Sequence, residues 1–190
     1  MNWDYSLGIV SGCLLTGIGS YLVFHWQQKA ERRKDQQIVL SVLEAIHGEI
    51  SVLWELYYED LGKKLEQGLD DEIFLWYYNP RQDYFSIYSK STAVIASLPD
   101  NTLQNKIIKT YTLAKSLLDY YQVHNVTLKE YSKYQFLYDQ NNDQTIKSYM
   151  DDREEELIRQ VSALKEIHGK AKDAVDAMCS MLRKKINSMT

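Results

Sequence analysis

Two histidine-containing segments are the places in this 190-residue chain where metal chemistry could occur. A di-iron bundle needs two Glu-x-x-His pairs on separate helices and two further inward-facing glutamates. Glu44-Ala-Ile-His47 has the required spacing, but the only similar segment is Glu166-Ile-His168, whose two residues cannot share a helix face. We therefore expect no metal centre. His47 is interpreted as a surface residue, and His168 as a core-edge histidine that is hydrogen-bonded to a neighbour.

Nucleophiles and phosphate-binding loops are equally scarce. Cys13 lies within an apolar run, and Cys179 has no histidine near it in sequence. The chain carries no G-x-S-x-G elbow, P-loop or dinucleotide-binding fingerprint. The acidic run from Asp151 to Glu156 is typical of a solvated helix start. We therefore predict neither a cofactor nor a catalytic centre, and the net charge of −4 argues against a nucleic-acid partner.

The most informative segment is an uncharged run near the N-terminus, from Ser6 to Phe24. About 20 residues of helix cross the hydrocarbon core of a bilayer, and aromatic residues favour its two headgroup zones. A cluster of basic residues follows the run, and this excess of positive charge is typical of the cytoplasmic side. The sequence thus predicts a transmembrane anchor over 1–26, with the N-terminus outside and residues 27–190 in the cytoplasm. The predicted membrane-interface residues are Trp3, Trp26, Lys29, Arg32, Arg33 and Lys34.

Two other interpretations of the same run fit less well. A cleaved secretory signal needs a basic segment before the apolar core, whereas the basic residues here come after it. A lipoprotein signal is suggested by Val10-Ser11-Gly12-Cys13, but the apolar run continues well beyond Cys13. We therefore favour an uncleaved, unacylated anchor in the cell (inner) membrane.

Small residues recur at every fourth position within the predicted span. Such rows lie on one helix face and allow two helices to approach closely in lipid. The row consists of Gly8, Gly12, Thr16 and Ser20. It predicts a face for self-association or for docking of another helix, although glycine is also simply common in transmembrane helices.

Apolar periodicity over the remaining residues predicts an all-α fold. Only two prolines and eight glycines interrupt the chain, which favours long helices. The first helix should continue from the anchor to about Gly68, the second long helix should run from Asp100 or Asn101 to about Tyr138, and the third from Thr145 to Ser188. One or two short helices, or alternatively a strand pair over 73–78 and 84–88, should fill the interval. Because each long helix has one apolar stripe, with heptad-like steps in the last one, an antiparallel cytoplasmic bundle is predicted.

The aromatic segment around residue 76 is the best candidate for a docking surface. Tyrosine and tryptophan are enriched at protein interfaces. The candidate residues are Phe74, Trp76, Tyr77 and Tyr78, although they could equally cover the open end of the bundle.

The sequence therefore predicts a membrane-anchored interaction protein, such as a scaffold, an adaptor or a small-complex subunit. Its partners would be the lipid bilayer and either another protein or a second copy. The alternative is an effector or sensor, for example in phage exclusion or stress response, that acts by oligomerising its transmembrane helix. The general arrangement resembles that of many bacterial membrane proteins, and this resemblance implies no activity.

Overall fold

The computed structural model describes residues 3–68, 73–78 and 84–189, with side chains from residue 23 onward. Every regular element in these ranges is helical. The long helices are α1 (Trp3–Tyr57), α5 (Asn101–Asn141) and α6 (Gln144–Asn187). The short ones are α2 (Lys63–Gln67), α3 (Ser86–Lys90) and α4 (Thr92–Ala96). The predicted all-α class is therefore confirmed.

The N-terminal helix α1 is long and apolar. Among the residues with described side chains, one stretch, within Val23–Gln67, is long and apolar enough to cross a membrane, with a mean hydropathy of 1.3. That stretch includes Leu43, Ile46 and Ile50, which are buried against the rest of the protein, so its hydropathy also reflects a core-packing helix. The predicted span from Ser6 to Phe24 lies almost entirely outside the described side chains, as do Trp3, Gly8, Gly12, Thr16 and Ser20.

A π-helical turn, Tyr58–Gly62, joins α1 to α2. The apolar positions change here to steps of four residues, which a regular 3.6-residue helix would carry progressively away from the core. The wider π turn absorbs this drift, and Tyr57, Leu61 and Leu65 are all buried.

Aspartate caps define the starts of both C-terminal helices. The Asp100 carboxylate accepts from the Thr102 and Leu103 N–H groups, each at 3.0 Å. The Asp143 carboxylate accepts from the Thr145 N–H group at 2.7 Å. The predicted loop over 139–144 is mostly wrong, because α5 continues to Asn141 and only two residues separate it from α6. Asn142 makes the turn in the left-handed conformation at φ 49°, which asparagine tolerates better than most residues do.

The three long helices share two apolar clusters. The first joins the α1 residues Leu43, Ile46 and Ile50 to α5 and the C-terminal half of α6. The second lies around Tyr57 and Tyr121. Every predicted stripe position of α6 is buried, as expected for a helix that packs with one face. These positions are Leu157, Val161, Leu164, His168, Ala171, Val175, Met178 and Leu182.

The interval before α5 contains two short helices in its described part, as predicted. Residues 73–78 form an irregular segment rather than a strand, and residues 86–88 lie in α3, so the alternative strand pair is not formed. The Glu49 carboxylate of α1 accepts from the Ile87 and Tyr88 N–H groups at 2.7 and 3.1 Å, and from the Tyr111 hydroxyl at 2.9 Å. One carboxylate thus ties α3 and α5 to α1. The predicted break at Asn79-Pro80 lies outside the described residues.

Candidate functional site

A line of hydrogen bonds connects the protein interior to its surface at the π turn. The His168 Nδ1 atom lies 2.8 Å from the Tyr57 hydroxyl, and the Tyr57 hydroxyl lies 3.3 Å from the Tyr121 hydroxyl. The His168 Nε2 atom lies 3.0 Å from Glu66 Oε1. Because a carboxylate only accepts, the network assigns the Nε2–H donor to Glu66 and leaves Nδ1 to accept from Tyr57. The donors therefore point in one direction, from Tyr121 towards Glu66.

Glu66 is the outer end of this line and receives three donors. Lys172 Nζ lies 2.7 Å from Oε1, and the Tyr58 hydroxyl donates to Oε2 at 2.8 Å, in addition to the His168 bond. These hydrogen bonds, led by that from Lys172, lower the pKa of Glu66 to about 2. At the inner end, burial raises the pKa of Tyr121 to about 12 and that of Tyr57 further still. Both phenols are therefore protonated at neutral pH.

The π turn is shaped to accommodate His168. A Cβ atom on Gly62 would lie 2.7 Å from Tyr58 Cδ2 and 3.1 Å from His168 Cε1. Both distances are shorter than an ordinary contact, so any other residue would displace the Tyr58 ring and push against the imidazole. Trp54 and Tyr58 stack on that ring, with centroid separations of 5.6 and 6.3 Å. The histidine is thus enclosed by aromatic rings and bonded at both nitrogens.

The network has the connectivity of a proton relay, and the described residues beside it enclose only a small cavity. The apolar pocket beside Tyr57 has a volume of about 40 Å³, enough for only about two or three waters. It is lined by Ile50, Leu53, Trp54, Tyr57, Tyr78, Tyr84, Phe85, Ala114, Leu117 and Leu118. No group of three or more His, Cys, Asp or Glu side chains in the described part of the chain is placed to bind a metal ion. We interpret the network as a structural one, whose hydrogen bonds hold α1 against α6.

The predicted docking segment packs against this network through the Tyr78 ring, which contacts Tyr57 and Tyr121, and α5 fixes the segment at both ends. The Phe74 carbonyl accepts from His124 Nε2 at 2.7 Å. At the other end, Asn125 accepts from the Tyr78 N–H group at 3.1 Å and donates to the Tyr78 carbonyl. Two consecutive residues of α5 therefore bind the segment through its backbone, which leaves its side chains to be positioned by packing.

The four candidate residues divide into anchors and exposed side chains. Phe74 is buried, and Tyr78 is half-buried, with its ring edge-to-face against Tyr121 at 5.3 Å. The exposed fractions of Leu75, Trp76 and Tyr77, which lie between them, are 60%, 49% and 56%. Lys64 Nζ lies 3.6 Å from the centroid of the Trp76 ring, a cation–π contact that orients the indole. The exposed surface thus comprises Leu75, Trp76 and Tyr77, and the sequence had not singled out Leu75.

The predicted membrane-interface residues that have described side chains are all exposed. They are Trp26, Lys29, Arg32, Arg33 and Lys34.

Sequence reasoning placed His168 correctly but missed its partners. The predicted core-edge histidine is confirmed by its burial and its two hydrogen bonds. Tyr57 and Glu66 carried no signal, because a tyrosine on an apolar stripe and a glutamate near a helix end are both common. His47 is only partly buried and accepts a hydrogen bond from Arg183 Nε at 3.1 Å.

Acidification should weaken the fold through Glu66. Its carboxyl pKa is about 2 in the folded protein against 4.5 as the ordinary value, so the unfolded chain takes up the proton first as the pH falls. The contribution of the ionised Glu66 carboxylate to the unfolding free energy is fully present above about pH 4.5 and is lost as the pH falls towards 2. We expect Glu66→Gln to flatten the dependence of the unfolding free energy on pH between 5 and 3. Urea titrations at several pH values measure this, and an unchanged slope would contradict the assignment.

No protein-family profile, curated protein or solved structure matches this chain. No function can therefore be transferred from a relative.

Proposed function

We propose that the protein is a single-pass membrane-anchored adaptor whose cytoplasmic helical bundle binds another protein. The observation that carries this proposal is the presentation of Leu75, Trp76 and Tyr77. A loop that exposes large aromatic side chains normally loses conformational entropy on binding. Here the backbone hydrogen bonds from His124 and Asn125 fix the segment before any partner arrives. The exposed side chains are thus held ready for binding.

The anchor is supported by the sequence and by the continuity of α1. The helix runs without a break from Trp3 to Tyr57, so a span over residues 1–26 would continue directly into the domain over residues 27–190. The basic cluster from Lys29 to Lys34 favours the cytoplasm for that domain. Residues 23–38 are exposed on all sides, as expected for a helix that emerges from a membrane before it reaches its bundle.

An antiparallel arrangement of the bundle is supported by three sets of contacts. Pairing of α5 with α6 in opposite directions agrees with the Glu130–Arg153 ion pair and with the Thr110 hydroxyl donating to the Ala174 carbonyl. For α1 and α6, the contacts of His47 with Arg183 and of Tyr57 with His168 run in the same opposed sense. The contacts of Glu49 with Tyr111 and of Tyr57 with Tyr121 favour α1 parallel to α5.

The docking surface is tested by removing its exposed side chains. We expect a Trp76→Ala/Tyr77→Ala variant to lose its protein partner when purified from detergent-solubilised membranes with quantitative mass spectrometry. Truncation of an aromatic hot spot costs about 2 kcal/mol or more, so recovery should fall at least about 30-fold. Both side chains are about half exposed, and their removal should leave the fold unchanged.

Tyr149→Ala is the matched control for this experiment. Tyr149 is also about half exposed, but it lies on α6, and its ring stacks on Tyr134 rather than on the docking segment. The control should recover the partner as the wild type does. Equal recovery by all three proteins would contradict the proposed docking surface.

A further inference from the structure

Helix α1 has a second apolar face that its own bundle does not cover. The buried positions Leu43, Ile46 and Ile50 lie on one side. At about 100° per residue, Val52 and its neighbours lie roughly 140° away around the helix. The second face consists of Ile38, Ser41, Ala45, Gly48, Val52 and Leu56. Ile38, Val52 and Leu56 are each about half exposed. A helix with apolar residues on two faces normally has packing partners on both.

The second face of α1 is aligned with the small-residue row of the predicted membrane span. Counted along the uninterrupted helix, positions 8, 12, 16 and 20 fall within the same arc of about 120° as positions 38, 45, 52 and 56. A continuous line therefore runs along one side of α1, through the predicted bilayer and into the cytoplasm. In lipid, rows of small residues allow two backbones to approach closely.

We infer that this line is the interface of a parallel homodimer in which two copies of the chain pair along α1. The inference rests on the proposed membrane anchor, since two copies in one bilayer share the same orientation and meet with identical faces. A Cβ atom on Gly48 would meet nothing within 4 Å, so the surface there is open to the close approach of a second copy. Ser41 and Ala45 on the same face are also small.

The paired stretches of the line reach the lower size limit of a specific interface. Residues 8–24 and 38–56 together extend about 50 Å, and a strip about 10 Å wide would bury roughly 500 Å² per copy, or about 1,000 Å² in total. Specific interfaces bury at least about 1,000 Å² in total. Gln27 and Lys34 interrupt the line just inside the membrane, where the long Lys34 side chain can turn towards the headgroups. The exposed Glu44 and Glu55 side chains lie at one edge of the same arc, where they can remain in water. Pairing is therefore concentrated in the span and between residues 38 and 56.

Disulfide cross-linking in membranes tests the pairing with two matched exposed valines. In a Cys13→Ala/Cys179→Ala background, Val52→Cys should form a cross-linked dimer under mild oxidation, because identical positions on the line face one another. Val126→Cys should not, although Val126 on α5 is as exposed as Val52. A complementary variant, Val52→Lys, should convert the dimer to a monomer in detergent while circular dichroism stays unchanged, and Val126→Lys should remain dimeric.

Recovery of the protein with the membranes separates this inference from the proposed function. A membrane-bound protein that cross-links at position 52 and not at 126 supports the inference. A membrane-bound protein that cross-links at neither position, or equally at both, overturns it and leaves the anchor and the docking surface standing. Recovery in the soluble fraction overturns the anchor, and the inference with it.

Discussion

Replacing His168 with alanine is expected to lower the free energy of unfolding by about 3 kcal/mol, since it combines loss of buried volume with loss of two hydrogen bonds. The imidazole is only 4% exposed and is the link between Tyr57 and Glu66. Without it, the buried Tyr57 hydroxyl loses its acceptor. Glu66 keeps Lys172 and Tyr58 but no longer connects α2 to the core.

His47→Ala is the control for this substitution. His47 is only partly buried and receives one hydrogen bond, from the exposed Arg183 side chain, so its removal should change the unfolding free energy by no more than about 0.5 kcal/mol. Urea titrations in detergent, followed by circular dichroism, measure both variants. If the two substitutions lower the unfolding free energy equally, the proposed structural role of the network between α1 and α6 is contradicted.

Replacing Gly62 with alanine is the second substitution with a large expected effect. Glycine-to-alanine changes within a helix normally stabilise by about 1 kcal/mol. At Gly62 the sign should reverse, because the added Cβ atom would lie 2.7 Å from Tyr58 and 3.1 Å from His168. Displacing these rings should cost about 2 kcal/mol, the usual penalty of overpacking.

Gly169→Ala is the control, because it makes the same chemical change at a position with space for the added Cβ atom. Gly169 follows His168 on α6, and a Cβ atom there meets nothing within 4 Å. This substitution should raise the unfolding free energy by about 0.5–1 kcal/mol. Opposite signs at positions 62 and 169 would show that the close packing of the π turn, rather than helix propensity, determines the result. Equal and positive changes would contradict the geometry described for Gly62.

The helices could be predicted from the sequence because the stripes of α5 and α6 follow a regular helical period. The Asp100 cap was also predictable, since aspartate before an apolar helix is a common start signal. The end of α5 was not, because Asp139, Gln140 and Asn141 are equally compatible with a loop and with a last exposed helical turn. Local composition does not distinguish these two states.

The site was only partly predictable, because its groups come together from distant parts of the chain. The docking segment was recognised by composition, but the division between buried Phe74 and exposed Leu75 depends on where His124 and Asn125 bind the backbone. The network of Tyr57, Glu66 and His168 depends on the π turn. A single inserted turn of this kind leaves no reliable sequence signal.

Cysteine labelling at position 126 tests the central claim, an anchored protein with its bundle in the cytoplasm, most directly. In the Cys13→Ala/Cys179→Ala background, Val126→Cys presents a thiol on the exposed side of α5. We predict that alkaline carbonate leaves the protein in the membrane. A membrane-impermeant maleimide should label position 126 only after the cells are permeabilised. Labelling of intact cells, or release of the protein by carbonate, would contradict the account.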